Sequence, residues 1–204
     1  MSAEIIPFNP LDKANLGASV AEALLARPAV QMAALSEFSG AGIYAIYYSG
    51  AFAAYKPIAK LNAGNSHRMP IYVGKAVPAG SRKGGVLENL PTKALFKRLS
   101  EHAESIHSTS NLRIDDFACR HLVVDDIWIP LGESLLIAWF SPLWNSLIDG
   151  FGNHDPGSGR RASMRPRWDV LHPGREWALK CRERKEDPRD IEREVKNFLA
   201  NMVE

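Results

Sequence analysis

Two short runs in which nearly every position is apolar interrupt a chain otherwise patterned at helical spacing. Gly42 to Tyr48 (GIYAIYY) and Met69 to Gly74 (MPIYVG) are rich in β-branched and aromatic residues and are flanked by Gly, so each predicts a strand. Phe117 to Val124 predicts a third. Thr92 to Ile106 carries Leu95, Leu99, Ala103 and Ile106 at helical spacing and predicts a helix. Arg98 and His102, one turn apart, lie along the edge of its apolar face and should point toward the sheet. Gly132 to Phe140 predicts a helix that stops before Pro142. The capping box Ser19-x-x-Glu22 predicts a short helix ending near Arg27. Asp187-Pro188 starts a terminal helix with Ile191, Val195, Phe198, Leu199 and Met202 on one face. Ser49 to Arg68 is long for a hairpin connection and reads as a partly helical insertion. Lys75 to Pro91 and Gly150 to Gly159 read as loops.

These elements predict an α+β fold, a small central three-stranded antiparallel or mixed sheet flanked by helices. The 204 residues fit a single domain, with a core at about 40–150, an N-terminal helical extension over 1–38 and a C-terminal extension over 151–204. No apolar stretch is long enough to cross a membrane, and Met1 to Leu11 lacks the basic-then-apolar pattern of an export signal. Cys119 and Cys181 stand apart, without a CxxC or a His cluster. A reduced protein of the cytoplasm is therefore expected, without a disulfide or structural zinc.

Net charge is +2, but its distribution is uneven. Residues 56–98 hold nine Lys and Arg against one Glu, whereas residues 99–149 hold two against eight acidic residues. A basic block of this kind suits a polyanion such as nucleic acid, and equally a solvated loop balanced by the acidic stretch after it.

Chemistry-bearing residues follow the same elements. Tyr44 and Tyr72 sit in the first two strands beside Gly42 and Gly74, where glycine weakens a strand unless a close approach requires it. Arg98 suits bidentate phosphate contact, and His102 titrates near neutrality. Glu133 opens an otherwise apolar helix, where it either complements the helix dipole or ligates Mg²⁺ as a lone carboxylate. Asn145 follows Pro142-Leu143-Trp144 and is either a loop cap or a polar group at a metal site.

Taken in order, these residues resemble the GIY-YIG nucleases, in particular the branch of small type II restriction endonucleases that cut a G/C-rich palindrome. The resemblance is carried by AGIYAIYYSG (41–50), PIYVGKAVPAG (70–80), KRLSEH (97–102), GES (132–134), PLWNSLIDGFGNHDPGSGR (142–160) and WDVLHPGREWA (168–178). The second motif is YVG, and the two motifs stand further apart than in the minimal family module, as in restriction members whose added loops read DNA. The resemblance implies hydrolysis of double-stranded DNA with one Mg²⁺ per active site, for which Mn²⁺ substitutes. Tyr44 would be the general base, His102 the acceptor of its proton and Arg98 the phosphate clamp. Glu133 would ligate the metal, Tyr72 would bond the phosphate or water, and Asn145 would order the metal shell. It implies the target CCGCGG, a homodimer matching the palindrome and a cognate DNA methyltransferase in the host. Lys75 is a candidate phosphate contact. Asn62, Asn65, His67, Arg68, Arg82, Lys83, Arg160, Arg161 and Arg165 are candidates for reading bases or holding phosphates. A structure-specific repair or homing enzyme and a non-catalytic DNA-binding protein are the competing readings.

Overall fold

The computed structural model of the chain describes residue 9 and residues 11–78, 92–155, 157 and 162–202. Its centre is strand β2 (Gly42–Tyr48), in which all seven residues are buried. That is why this run shows no polar alternation: a central strand covered on both faces has no solvent side. β2 pairs antiparallel with β3 (Pro70–Ala76) on one side and β4 (Phe117–Val123) on the other. A two-residue strand, β1 (Val30–Gln31), pairs with β4, so the sheet has four strands in the order β1-β4-β2-β3. The fourth strand has too few residues for a periodicity to announce it.

One face of the sheet receives α1 (Lys13–Leu25) and α4 (Ile129–Phe140), which pack on Ile43, Ala45 and Tyr47. The helices come close where side chains are absent: a Cβ on Gly132 would lie 2.7 Å from Val20 Cγ1. Both helices begin earlier than the sequence suggested. Asp12, not Ser19, caps α1, accepting from the Ala14 N–H at 2.9 Å. Pro130 stands in the first turn of α4, where proline is preorganised for a helix start. Glu133 thus lies in the second turn, beyond the range of the helix dipole's first-turn effect.

The other face buries Tyr44, Ile46 and Tyr48 against α3 (Ala94–His107), α5 (Leu143–Ser146) and the C-terminal helices α6 (Arg167–Leu171) and α8 (Pro188–Met202). The insertion after β2 is partly helical as expected, with α2 at Lys56–Leu61. It shares this core: Tyr55 and Ile58 pack in one cluster with Trp144, Trp168, Ile191, Val195 and Leu199. The apolar faces of α1 and α8 are therefore occupied within the chain. Cys119 and Cys181 are both free thiols. Among the described residues no helix is long and apolar enough to cross a membrane.

A buried polar chain seals the far side of this core. Trp144 Nε1 donates to Tyr55 Oη at 2.9 Å, and Tyr55 Oη bonds His172 Nε2 at 2.5 Å. His172 Nδ1 meets Asn111 Oδ1 at 2.9 Å. This arrangement satisfies a neutral imidazole, and burial pulls its pKa down to about 3. An unfolded histidine titrates near 6.5. Between these values the unfolded chain binds the extra proton, so the contribution of His172 is complete above about pH 6.5 and is lost as pH falls toward 3. Urea unfolding should thus show a lower midpoint at about pH 4.5 than near neutrality, with a shallower fall in His172→Gln. Equal falls in the two proteins would remove His172 from the cause.

Candidate active site

Tyr44 and Tyr72 project from the same face of β2 and β3. Register sets this: Tyr44 lies opposite Gly74, and Tyr72 opposite Ile46. The two glycines of the paired motifs have different tasks. A Cβ on Gly74 would overlap the Tyr44 hydroxyl, so Gly74 is the space in which the phenol lies. A Cβ on Gly42 would overlap the Leu122 carbonyl, so Gly42 permits the close approach of β4.

Tyr44 is fully buried and reaches α3, where its Oη lies 2.6 Å from His102 Nε2. His102 is 1% exposed and stacks on Phe151 with ring centroids 4.5 Å apart. Burial, and secondarily Tyr72, push the Tyr44 phenol well above its ordinary value; Arg98 pulls against them and Glu133 adds to them. Burial, followed by Arg98, His154 and Arg175, holds His102 well below its ordinary value. The shared proton therefore rests on Tyr44, which donates to a neutral imidazole. Tyr72 is also raised by burial and by Glu133, with Arg98 opposing.

Arg98 spans from α3 to the loop after α5. Its Nη2 donates to the Gly152 carbonyl at 2.6 Å, and its Nη1 bonds Glu101 at 3.3 Å and also His154. A Cβ on Gly152 would lie 2.6 Å from Tyr72 Oη, so this glycine admits the second phenol. Glu133 approaches from α4 and is 18% exposed, with Oε2 paired to Lys75 Nζ at 2.6 Å. Tyr44, Tyr72, Arg98 and His102 thus lie together on one side of the sheet, and Glu133 is near enough for its charge to act on both phenols.

Asn145 is placed differently from the metal-shell role expected of it. Its Oδ1 accepts from the Val73 N–H and its Nδ2 donates to the Val73 carbonyl, both at 2.8 Å. The amide imitates a neighbouring strand along the free edge of β3 and fixes Tyr72, the residue before. Among the DNA-contact candidates, Asn62 is 1% exposed and is spent on the backbone of Tyr48 and Met69, so it cannot read a base. Arg165 donates to the carbonyls of Ala178 and Leu179 at the end of α7 (Glu176–Leu179), a capping task rather than a free cation. His67 is half-buried beside Tyr47, whereas Asn65 and Arg68 are exposed. Arg68 joins Lys56, Lys60 and Lys196 around a groove of about 950 Å³ between α2 and α8. Arg82, Lys83, Arg160 and Arg161 lie outside the described residues.

Residues that local pattern did not reveal hold the site in place. Arg175 forms a bidentate pair with buried Asp169, at 2.7 Å and 2.5 Å. Its other donors reach the carbonyls of Gly150, Phe151 and Asn153, at 2.9, 3.1 and 3.2 Å. Trp168 and Trp177 cover the guanidinium, 4.5 and 4.7 Å from its carbon. Both residues of the pair fall in the 168–178 stretch that carried the resemblance, yet no spacing rule joins them across the turn.

Residues 36–199 match the family model described as the Eco29kI GIY-YIG domain. The chain belongs to the GIY-YIG restriction endonuclease family. The match spans most of the chain, including the C-terminal helices that share its core, and makes this protein a nuclease. No curated protein sequence matches it. In this GIY-YIG enzyme the name motifs have a packing explanation in the Tyr44–Gly74 pair. Gly74→Ala should cost about 1–3 kcal/mol through overpacking and displace Tyr44 from His102. Denaturant unfolding, with the His102 ring signals followed by NMR, measures both; unchanged stability and unchanged signals would contradict the packing argument.

Proposed function

We propose that the protein is a type II restriction endonuclease that hydrolyses phosphodiester bonds of double-stranded DNA. The observation that carries this reading is the 2.6 Å hydrogen bond between Tyr44 and His102, buried beside Arg98. Tyr44 passes its proton to His102 Nε2, and Tyr44 Oη accepts a proton from the attacking water as the water oxygen bonds phosphorus. The 3′ oxygen departs and takes a proton from solvent. In the free chain both shifts oppose this transfer, burial being the main cause and the Arg98 charge the next for His102. A phosphodiester on Arg98 offsets that charge, which lowers the cost of protonating His102 and raises that of ionising Tyr44. Arg98 also holds the phosphate in line, and Tyr72 donates to it.

Glu133 fits a magnesium site. Its carboxylate already partners a cation, the Lys75 ammonium. A lone carboxylate leaves the remaining positions to water and phosphate, a normal arrangement for Mg²⁺, with Mn²⁺ as a substitute. Bound there, the ion would neutralise phosphate charge and stabilise the leaving oxygen.

One such site per chain suits a twofold dimer on a palindrome, with CCGCGG as the proposed target. Asn65, His67, Arg68 and Lys75 remain contact candidates, as do Arg82, Lys83, Arg160 and Arg161, which lie outside the described residues. The host, a bacterial cytoplasm, would need a methyltransferase to protect its own DNA.

Digestion of a plasmid with and without Mg²⁺, with the ends sequenced, tests the reading. Discrete fragments sharing one palindrome are expected with metal only. Arg98→Ala and Glu133→Gln should each cut at least ~10²-fold more slowly while keeping salt-dependent duplex binding. Cleavage of branched substrates alone, or parental rates in either variant, would refute it.

A further inference from the structure

Three partners surround the Arg98 guanidinium in the free chain: the Gly152 carbonyl, Glu101 and His154. The first cannot readily yield, because its loop is tied at Gly150, Phe151 and Asn153 by Arg175. The other two can, since the side chains of His154 and Glu101 are 61% and 33% exposed. A guanidinium only donates, so the imidazole nitrogen facing it must accept, which requires neutral His154. The charged groups around His154 agree. Among the described residues, burial, Arg98, Arg175 and Lys97 disfavour its imidazolium, and Glu101, 3.6 Å away, favours it. Its own loop adds Asp155, which is exposed.

A phosphodiester changes this balance. Arg98 and Glu101 neutralise one another in the free chain, so one added negative charge leaves the cluster short of a cation. His154 is the titratable group nearest to supplying it. We propose that His154 is a further phosphate-contact residue, a neutral acceptor for Arg98 in the free chain and, once DNA reaches Arg98, an imidazolium donating to the phosphate with Glu101 beside it. The proton comes from solvent, and no covalent bond forms. This rests on the reading that Arg98 binds a DNA phosphate. By linkage, a group whose pKa rises on binding strengthens binding as pH falls.

Calorimetric titration of a CCGCGG duplex, without divalent metal and in buffers of different ionisation enthalpy, counts the protons taken up. The parent should take up more than His154→Gln, by up to about one per site near neutral pH. Its affinity should also weaken more steeply as pH rises. His154→Lys, charged in advance, should bind without that uptake and more tightly than His154→Gln. Both variants lie on an exposed side chain, and unchanged thermal melts verify their fold. Equal proton uptake by parent and His154→Gln, with binding intact, would overturn this proposal alone. Absence of duplex binding by the parent would overturn both it and the reading on which it rests.

Discussion

Arg175 is the constraint on which the site depends. Its five N–H donors are all engaged, two by Asp169 and three by carbonyls of the 150–153 loop. A buried guanidinium is costly unless paired and fully bonded, so the loop has one geometry in which this cation is satisfied. That geometry aims the Gly152 carbonyl at Arg98, sets Phe151 against His102 and leaves space for the Tyr72 hydroxyl. The C-terminal segment is thus part of the nuclease architecture, since it carries the residue that shapes the loop.

The chain buries two tyrosine–histidine pairs, and their surroundings give them different consequences. Tyr55 and His172 are enclosed by Trp144 and Asn111, and among the described residues no cation makes hydrogen-bonding contact with them. Nothing that enters from solvent can change their proton balance without opening the core. Tyr44 and His102 have equally dry walls, but the charge of Arg98 reaches both and that of Glu133 reaches Tyr44. Ligands at those two charges can therefore alter the cost of moving the Tyr44 proton. A hydrogen bond between phenol and imidazole is closed off in one place and open to outside charge in the other, according to which groups reach it.

The sequence conveyed the strands through apolar runs, and the placement of Arg98 and His102 through helical projection, because both are local periodicities. Residue type alone could not assign Asn62 and Asn145. An amide that reads a base and one that imitates a strand edge look alike until its partners are known, and both proved to hold backbone. Arg165 likewise had the charge of a DNA contact but the geometry of a helix cap. Asp169 and Arg175 escaped notice because a buried ion pair has no signature in linear spacing. Pro130 was a local signal for the earlier start of α4, and it moved Glu133 out of the first turn.

Whether Tyr44 and His102 act as one proton-transfer unit is answered by a double-mutant cycle on single-turnover DNA cleavage. Tyr44→Phe and His102→Gln should each slow cleavage by at least ~10²-fold, and the double variant should be no slower than the worse single one, as for residues that act together. Cleavage by Tyr44→Phe at the parental rate, or losses that multiply in the double variant, would show that the two residues do not share a proton in the reaction.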